Sequence, residues 1–363
     1  MHLHMESKRQ HTTKTILIPG VFIIAQTALG LLSGHRQFQY YSRIFFLIEI
    51  NIILTASLYL INGLTGQFSL GHAGFMAIGA YASATITTLL PKLIFGAPLA
   101  ATSIAGHAVF VLSVFAGGAA AGVFGIAIGF PSLRLRGDYL AIVTLAAGEV
   151  IRAGLRFSDF LGGPRGIPGI PAFSGAFYVG TFFLLSLWMM RNFVYSHFGR
   201  ACIAVRDNEI AASCMGVNAT FQKVCAFALG AFFAGIAGAL FAHLSRYINP
   251  DNFGFLKTLD ILIFLYIGGP HSIAGSIVGA GIFTLVPEGL RLVNLEAWRM
   301  AIYPLILILV MRFLRDGIMG DREFSFLVPW KYKEMVSKRS SPQEKDLPQS
   351  HKERKKETKE SDN

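Results

Sequence analysis

The chain is built of long apolar blocks separated by short polar ones. Residues 50 to 91 contain no Lys, Arg, Asp or Glu, and neither do residues 93 to 133. As helix, each run of about 40 residues would be about 60 Å long, against a bilayer hydrocarbon core of about 30 Å. Each must therefore turn back or leave the core. Further uncharged stretches lie at 15–34, 166–190, 224–245 and 261–287, and a last apolar block covers 300–311. The blocks are continuous, whereas a β-barrel would need alternating segments of about ten residues. The pattern predicts an all-α, polytopic helical membrane protein with about ten transmembrane helices, some of them broken. The expected spans are about 15–34, 44–61, 68–90, 107–130, 139–155, 176–191, 223–244, 256–269, 272–290 and 298–314. Around this 15–318 membrane domain, residues 1–14 read as a polar leader and 319–363 as a charged, disordered tail. The stretch 15–34 lacks a small-x-small cleavage site after it and reads as a retained span, not a signal peptide.

Within the spans, small residues recur four apart: Gly118 and Gly122, Gly125 and Gly129, Ala231 and Gly235, Ala234 and Gly238, Gly275 and Gly279. Such faces let helix backbones approach closely in lipid. Glycine is denser still in Asn62–Gly74 and Gly268–Gly275. Non-helical backbone at membrane depth is tolerated where it lines a cavity or is packed in protein, and transporters often place a binding site in an interrupted helix. The alternative is a tight turn at the membrane edge, and Gly268-Gly269-Pro270 reads as one.

Composition agrees with the pattern. Of 363 residues, 53% are hydrophobic and 15% charged, with mean hydropathy +0.52, where soluble domains carry about 25% charge. The net charge of +11 would suggest nucleic acid in a soluble chain. Its distribution excludes that reading, because residues 312–363 hold 13 Lys/Arg against 10 Asp/Glu and the rest flank the spans. The tail is a solvated extension, with Lys352, Arg354, Lys355 and Lys356 as a cluster suited to lipid or a partner. Cys202, Cys214 and Cys225 have neither CxxC nor metal-ligand spacing. No G-x-x-x-x-G-K-[ST], H-E-x-x-H or G-x-S-x-G occurs, so the chain carries no ATP-splitting or hydrolytic signature. Ionisable residues at membrane depth are the functional candidates: Glu49, Glu149, Asp260, Glu288, His72 and His107. Glu149 can pair with Arg152 at i,i+3, while Asp260 and Glu288 lie near span ends. Glu49 has no partner nearby in sequence. An ion-coupled secondary transporter would use Glu49 or Asp260 as its coupling carboxylate.

Between the sixth and seventh spans, His197–Asn218 reads as a short helix outside the membrane. Asp207 is the expected N-cap, Glu209 an acid in the first turn, Ala211 and Ala212 propagate, and Gly216 closes the end. Ile210, Cys214 and Val217 fall on one apolar stripe. The pattern Glu209-x-Ala211-Ala212-x-x-x-Gly216, preceded by Gly199-Arg200 and Arg206-Asp207-Asn208, resembles the coupling loop of ABC-importer permeases, here about residues 192–222. Three blocks are similar to the LivM-type permease family of branched-chain amino-acid importers: Gly63–Tyr81, Leu133–Leu145, and Ile248–Phe253 with Ile267–Pro270. The resemblance runs in order over about residues 45–318.

It implies the ABC-importer permease fold and import of branched-chain amino acids across a bacterial inner membrane. It implies a second, LivH-like permease subunit, two ATPase subunits that bind ATP and Mg, and an external substrate-binding protein; the chain itself has no cofactor and no catalytic residue. Arg200, Arg206, Asp207, Glu209, Ala212 and Gly216 are the expected ATPase-coupling residues. Glu49, Asn62, Gln67, Ser69, His72 and Gly74 are the expected pathway residues. Even parity places both termini on one side. Basic Lys8, Arg9, Lys14, Arg312 and Arg315 put that side in the cytoplasm, and a cytoplasmic coupling loop agrees. Gly162–Pro171 and Ser245–Lys257 are then external. Two positions depart from the family: Gln67, and Gly269-Pro270-His271-Ser272 where Gly-Met-Gly-Ser is common. Urea and short-amide permeases share the glycine-rich blocks, so the resemblance leaves that substrate class open.

Overall fold

The structure is a computed structural model that describes residues 26, 36–95, 103–132 and 137–292, with positions 305, 308, 309, 312, 317–320, 322–324, 327 and 328 beyond them. Residues 16–324 form one compact unit, which holds all the helices below; the second unit, residues 1–15 and 325–363, lies almost wholly outside the described residues. Of the expected tail only residues 319, 320, 322–324, 327 and 328 are described, and the leader and the tail's basic cluster are outside the described residues too. So are the expected first and last spans, except for Gln26, Leu305, Ile308, Leu309 and Arg312, which are helical.

Ten α-helices occur among the described residues: α1 Arg36–Asn62, α2 His72–Phe95, α3 Ile104–Ser132, α4 Asp138–Phe157, α5 Ala176–Val194, α6 His197–Asp207, α7 Glu209–Cys214, α8 Ala219–Ser245, α9 Phe255–Gly268 and α10 Ile273–Leu292. Eight of them coincide with expected spans. Four, in α1, α3, α5 and α8, are long and apolar enough to cross a membrane by themselves. Of the others, α9 has only 14 residues, and α4 carries Glu149, Arg152 and Arg156.

The small residues set the packing. Gly79 of α2, Gly117 of α3 and Gly235 of α8 meet at one crossing, where a Cβ on Gly235 would lie 2.6 Å from that of Ala121 and 2.8 Å from the Gly117 carbonyl. A Cβ on Gly117 would in turn stand 2.7 Å from the Gly79 carbonyl. Gly118 and Gly125 face Phe232 and Ala231 along the same seam. Helix α8 is thereby sunk among α1, α2 and α3, while α3 and α4 turn Val123, Phe124, Phe130, Ile142 and Val150 outward, as a lipid-facing or subunit-facing surface requires.

The 27-residue helix α8 is about 40 Å long, so its ends define two ends of this unit. Near Arg246 the all-α expectation needs one amendment. Strands β1 (Ile167–Pro168) and β2 (Tyr247–Ile248) pair antiparallel, Ile167 opposite Ile248. Proline- and glycine-rich backbone cannot satisfy itself as helix, so the two loops satisfy each other. Tyr247 Oη donates to the Arg165 carbonyl at 2.9 Å, and Asp251 receives Arg156 as well as Arg152, at 3.8 Å. The expected Glu149–Arg152 pair also forms, at 2.6 Å. At this end His243 Nδ1 donates to the Pro171 carbonyl at 2.9 Å, which leaves Nε2 to face Ser83 at 3.1 Å.

Candidate functional site

At the opposite end, three polypeptide features come together: the α6–α7 hairpin, the break between α1 and α2, and the break between α9 and α10.

Helix α6 starts where Ser196 Oγ accepts from the Gly199 amide at 3.3 Å. It stops at Asn208, whose extended backbone (φ −158°, ψ 104°) breaks the hydrogen-bond ladder. The expected N-cap is therefore displaced by one residue. Asn208, not Asp207, caps α7, its Oδ1 accepting from the Ala211 amide at 3.0 Å; Asp207 is the last residue of α6 and pairs with Arg206 at 3.1 Å. An asparagine oxygen is as good a cap as a carboxylate, and local preference alone did not separate the neighbours. Glu209 falls in the first turn and reaches across to Lys223 of α8 at 2.9 Å. Gly216 closes the helix as expected. At φ +84° its amide bonds to the Ser213 carbonyl at 3.0 Å and that of Val217 to Ala212 at 3.1 Å, the paired bonds of a Schellman end.

The apolar stripe is divided by packing. Ala212 is buried against Val205 and Ala219 with Val217 beside them, whereas Ile210 is 74% and Met215 85% exposed and Cys214 is exposed too. Arg200 binds inward, to the Tyr195 carbonyl at 3.3 Å and His197 Nδ1 at 2.9 Å. Cys202 is fully enclosed, and burial pushes its thiol up to about 12.

The first break is real but packed. The Tyr59 carbonyl takes both the Gly63 and Leu64 amides at 2.9 Å, Asn62 Oδ1 accepts from the Ser69 amide at 3.2 Å, and Thr144 of α4 accepts from the Leu70 amide at 3.0 Å. Tyr266 of α9 reaches the Asn62 side chain. His72 Nε2 lies 2.7 Å from Ser57 Oγ. Ser57 Oγ also lies 2.7 Å from the Leu54 carbonyl of its own helix, and the other ring nitrogen, Nδ1, points elsewhere. That Nδ1, Gln67 Oε1 and Ser69 Oγ are buried polar atoms without a protein partner, an arrangement native interiors seldom keep without a use. Gly74 lets α2 close on α4, since a Cβ there would stand 2.9 Å from Gly148 Cα. Glu49 does not join this group. It lies back along α1 by about 12 Å from Ser57 and about 20 Å from Asn62, buried, with both carboxylate oxygens held by Gln26 Nε2 at 2.7 and 2.6 Å.

The second break is a turn, as Gly-Gly-Pro suggests. Its free carbonyls are covered from the far end of the chain. Ile318 and Met319 amides donate to the Ile267 and Gly268 carbonyls at 2.8 and 2.9 Å, and the Glu323 carboxyl accepts from the Ile273 and Ala274 amides at 2.7 and 3.2 Å. Burial holds that carboxyl above the usual glutamate range. The two breaks touch, Gly63 lying against the Pro270 carbonyl. Between the first break and the hairpin opens a cleft of about 520 Å³, lined by Thr65–Phe68, Val205–Ile210 and Lys223 among others. Among the described residues no three His, Cys, Asp or Glu could hold a metal.

Sequence reasoning missed Gln26, Ser57, Lys223 and Glu323. Each is an ordinary polar residue whose partner lies on another helix, and only the partner marks it out.

Comparison with known proteins matches residues 40–311 to the family described as branched-chain amino acid transport system / permease component. The high-affinity branched-chain amino acid transport system permease protein LivM of Salmonella typhimurium is 32% identical over 305 residues, covering 74% of this chain and 68% of that protein. LivM of Escherichia coli K12 matches to the same extent. The permease protein LivH of Salmonella typhimurium is 32% identical over 130 residues, 36% of this chain and 42% of that protein. No solved structure matches.

Proposed function

The chain belongs to the family of permease components of branched-chain amino acid transport systems, and from that premise we propose how its parts divide the work of import. It is the membrane permease of an ATP-binding-cassette importer and does not itself hydrolyse ATP. Its pore is completed by a LivH-like second permease subunit. Two ATPase subunits bind ATP and Mg, and an external binding protein delivers the amino acid. About ten helices cross the bacterial inner membrane in the ABC-importer permease arrangement, with both termini and the α6–α7 hairpin in the cytoplasm.

The observation that carries this division is the hairpin itself. A six-residue helix, capped at both ends and seated by Ala212, presents Ile210 and Met215 to the outside. Exposed apolar side chains on a rigid support are what a docking surface needs. The paired loops at the other end, tied by β1–β2 and Asp251, form a stiff surface for the binding protein. ATP-driven closure of the ATPases presses on the hairpin. The adjoining break, with Asn62, Gln67, Ser69 and His72, offers the polar atoms of the pathway, and Gly74 allows α2 to shift against α4. Glu49, tied to Gln26, holds helices together at greater depth.

In proteoliposomes with the complete transporter, Ile210→Asp combined with Met215→Asp should release the ATPase subunits and cut ATP-driven leucine uptake by about tenfold or more, since each buried side chain of this size is worth about 1.5–3 kcal/mol. Leucine uptake driven by an ion gradient through this chain without any ATPase would refute the reading.

A further inference from the structure

A permease driven from outside the membrane needs a rigid path from its docking surface to the helices that move. Covalent connection serves poorly here. The α6–α7 hairpin is joined to the first helix break only through more than 120 intervening residues. One side chain closes that distance directly. Arg206, in the last turn of α6, donates from Nη1 to the Gly63 carbonyl at 3.0 Å, while its Nε holds Asp207 at 3.1 Å. One planar guanidinium thus binds the hairpin on one edge and the first residue beyond α1 on the other.

The surroundings are shaped to it. Gly66 adopts φ +69° and lies along the arginine stem, so that a Cβ there would stand 2.8 Å from Arg206 Cγ. Gly63 in turn abuts the Pro270 carbonyl, and a Cβ on Gly317 would lie 2.6 Å from the Gly269 amide nitrogen. A displacement delivered at Arg206 therefore meets the first break, then the second, then the segment that covers it, through backbone contacts without slack.

We propose that Arg206 is the strut that carries movement of the docking hairpin into the first helix break, a positioning residue for transport. The proposal rests on the hairpin being the ATPase-docking surface. Arginine suits the task because its fork fixes two bonds at a set angle, whereas a lysine ammonium is a point charge on a flexible stem. Ile210 and Met215 dock; Arg206 transmits.

The test is uptake per ATP hydrolysed by the complete transporter in proteoliposomes, with ATPase co-purification and thermal melting measured on the same preparations. Arg206→Ala should keep its ATPase subunits and its melting point while losing about tenfold in leucine moved per ATP. That corresponds to one charge-assisted hydrogen bond. Arg206→Lys should recover only part of the loss. Gly66→Ala, which leaves Arg206 in place and pushes its stem aside, should uncouple in the same way, and it decides the matter if Arg206→Ala fails to insert. Coupling within twofold of the parent in an intact complex overturns the strut, as does loss of the ATPase subunits, which would make Arg206 part of the dock. If instead Ile210→Asp with Met215→Asp leaves both assembly and uptake intact, the docking reading has failed and not the strut alone.

Discussion

A thiol reacts through its thiolate, and Cys202 and Cys214 sit at opposite limits of access within a dozen residues of each other. Cys202 is enclosed on the inner face of α6, and burial raises its thiol to about 12, so at pH 8 it is held as the thiol. Cys214 ends α7 in the open. Maleimide labelling of the native protein should modify Cys214 within minutes and leave Cys202 untouched, with no gain at Cys202 between pH 7 and 9. Mass spectrometry of the labelled peptides reads both sites, and early modification of Cys202 would mean that α6 is not seated as described. Polarity, capping residues and the resemblance to a coupling loop singled out the segment holding these cysteines. Which of Ile210, Cys214 and Val217 face outward was not legible, because a stripe on a six-residue helix states which residues are neighbours and not which of them the rest of the protein covers.

At the scale of elements, glycines do the most specific work. Gly235 meets Gly117 and Ala121, mostly through backbone that cannot step aside. Gly235→Val should therefore cost about 3 kcal/mol or more by overpacking and appear as a lowered melting point and poor recovery from membranes. Gly281, where an added methyl group would meet nothing within 4 Å, should accept alanine without change in either measurement. The i,i+4 spacing announced these faces in the sequence, and α3 and α8 use them as expected. The break at residues 62–71 was legible only as a choice between a membrane-edge turn and a packed interruption. The chain turns at the end of α1, and its polar side chains are enclosed because α4 and α9 lie over it. Composition could not decide this, since the covering residues are Thr144, more than 70 positions away, and Tyr266, farther still.

For the whole molecule, the consequential feature is that hairpin, breaks and the 317–323 segment share one end while the β1–β2 ribbon and Asp251 share the other. The proposed orientation makes the first end cytoplasmic. In a background where Cys214 is the sole cysteine, a membrane-impermeant maleimide added to spheroplasts should react only after permeabilisation. A cysteine placed at exposed Asn252 instead should react without it, and the reverse pattern would invert the topology. What the sequence determined by itself was the solvent, the approximate ends of the eight expected spans that fall among the described residues, the small packing faces and the family. Apolar runs, caps and motifs are local or ordered along the chain, and they are read without knowing any contact. The tertiary structure alone decided the partnerships: Glu49 with Gln26, Glu209 with Lys223, Arg206 with Gly63, and the 317–323 segment over the second break. Each joins residues on different helices or on the segments between them. Which helix faces which follows from the fit of their surfaces, a property of the packed whole that no window of sequence contains.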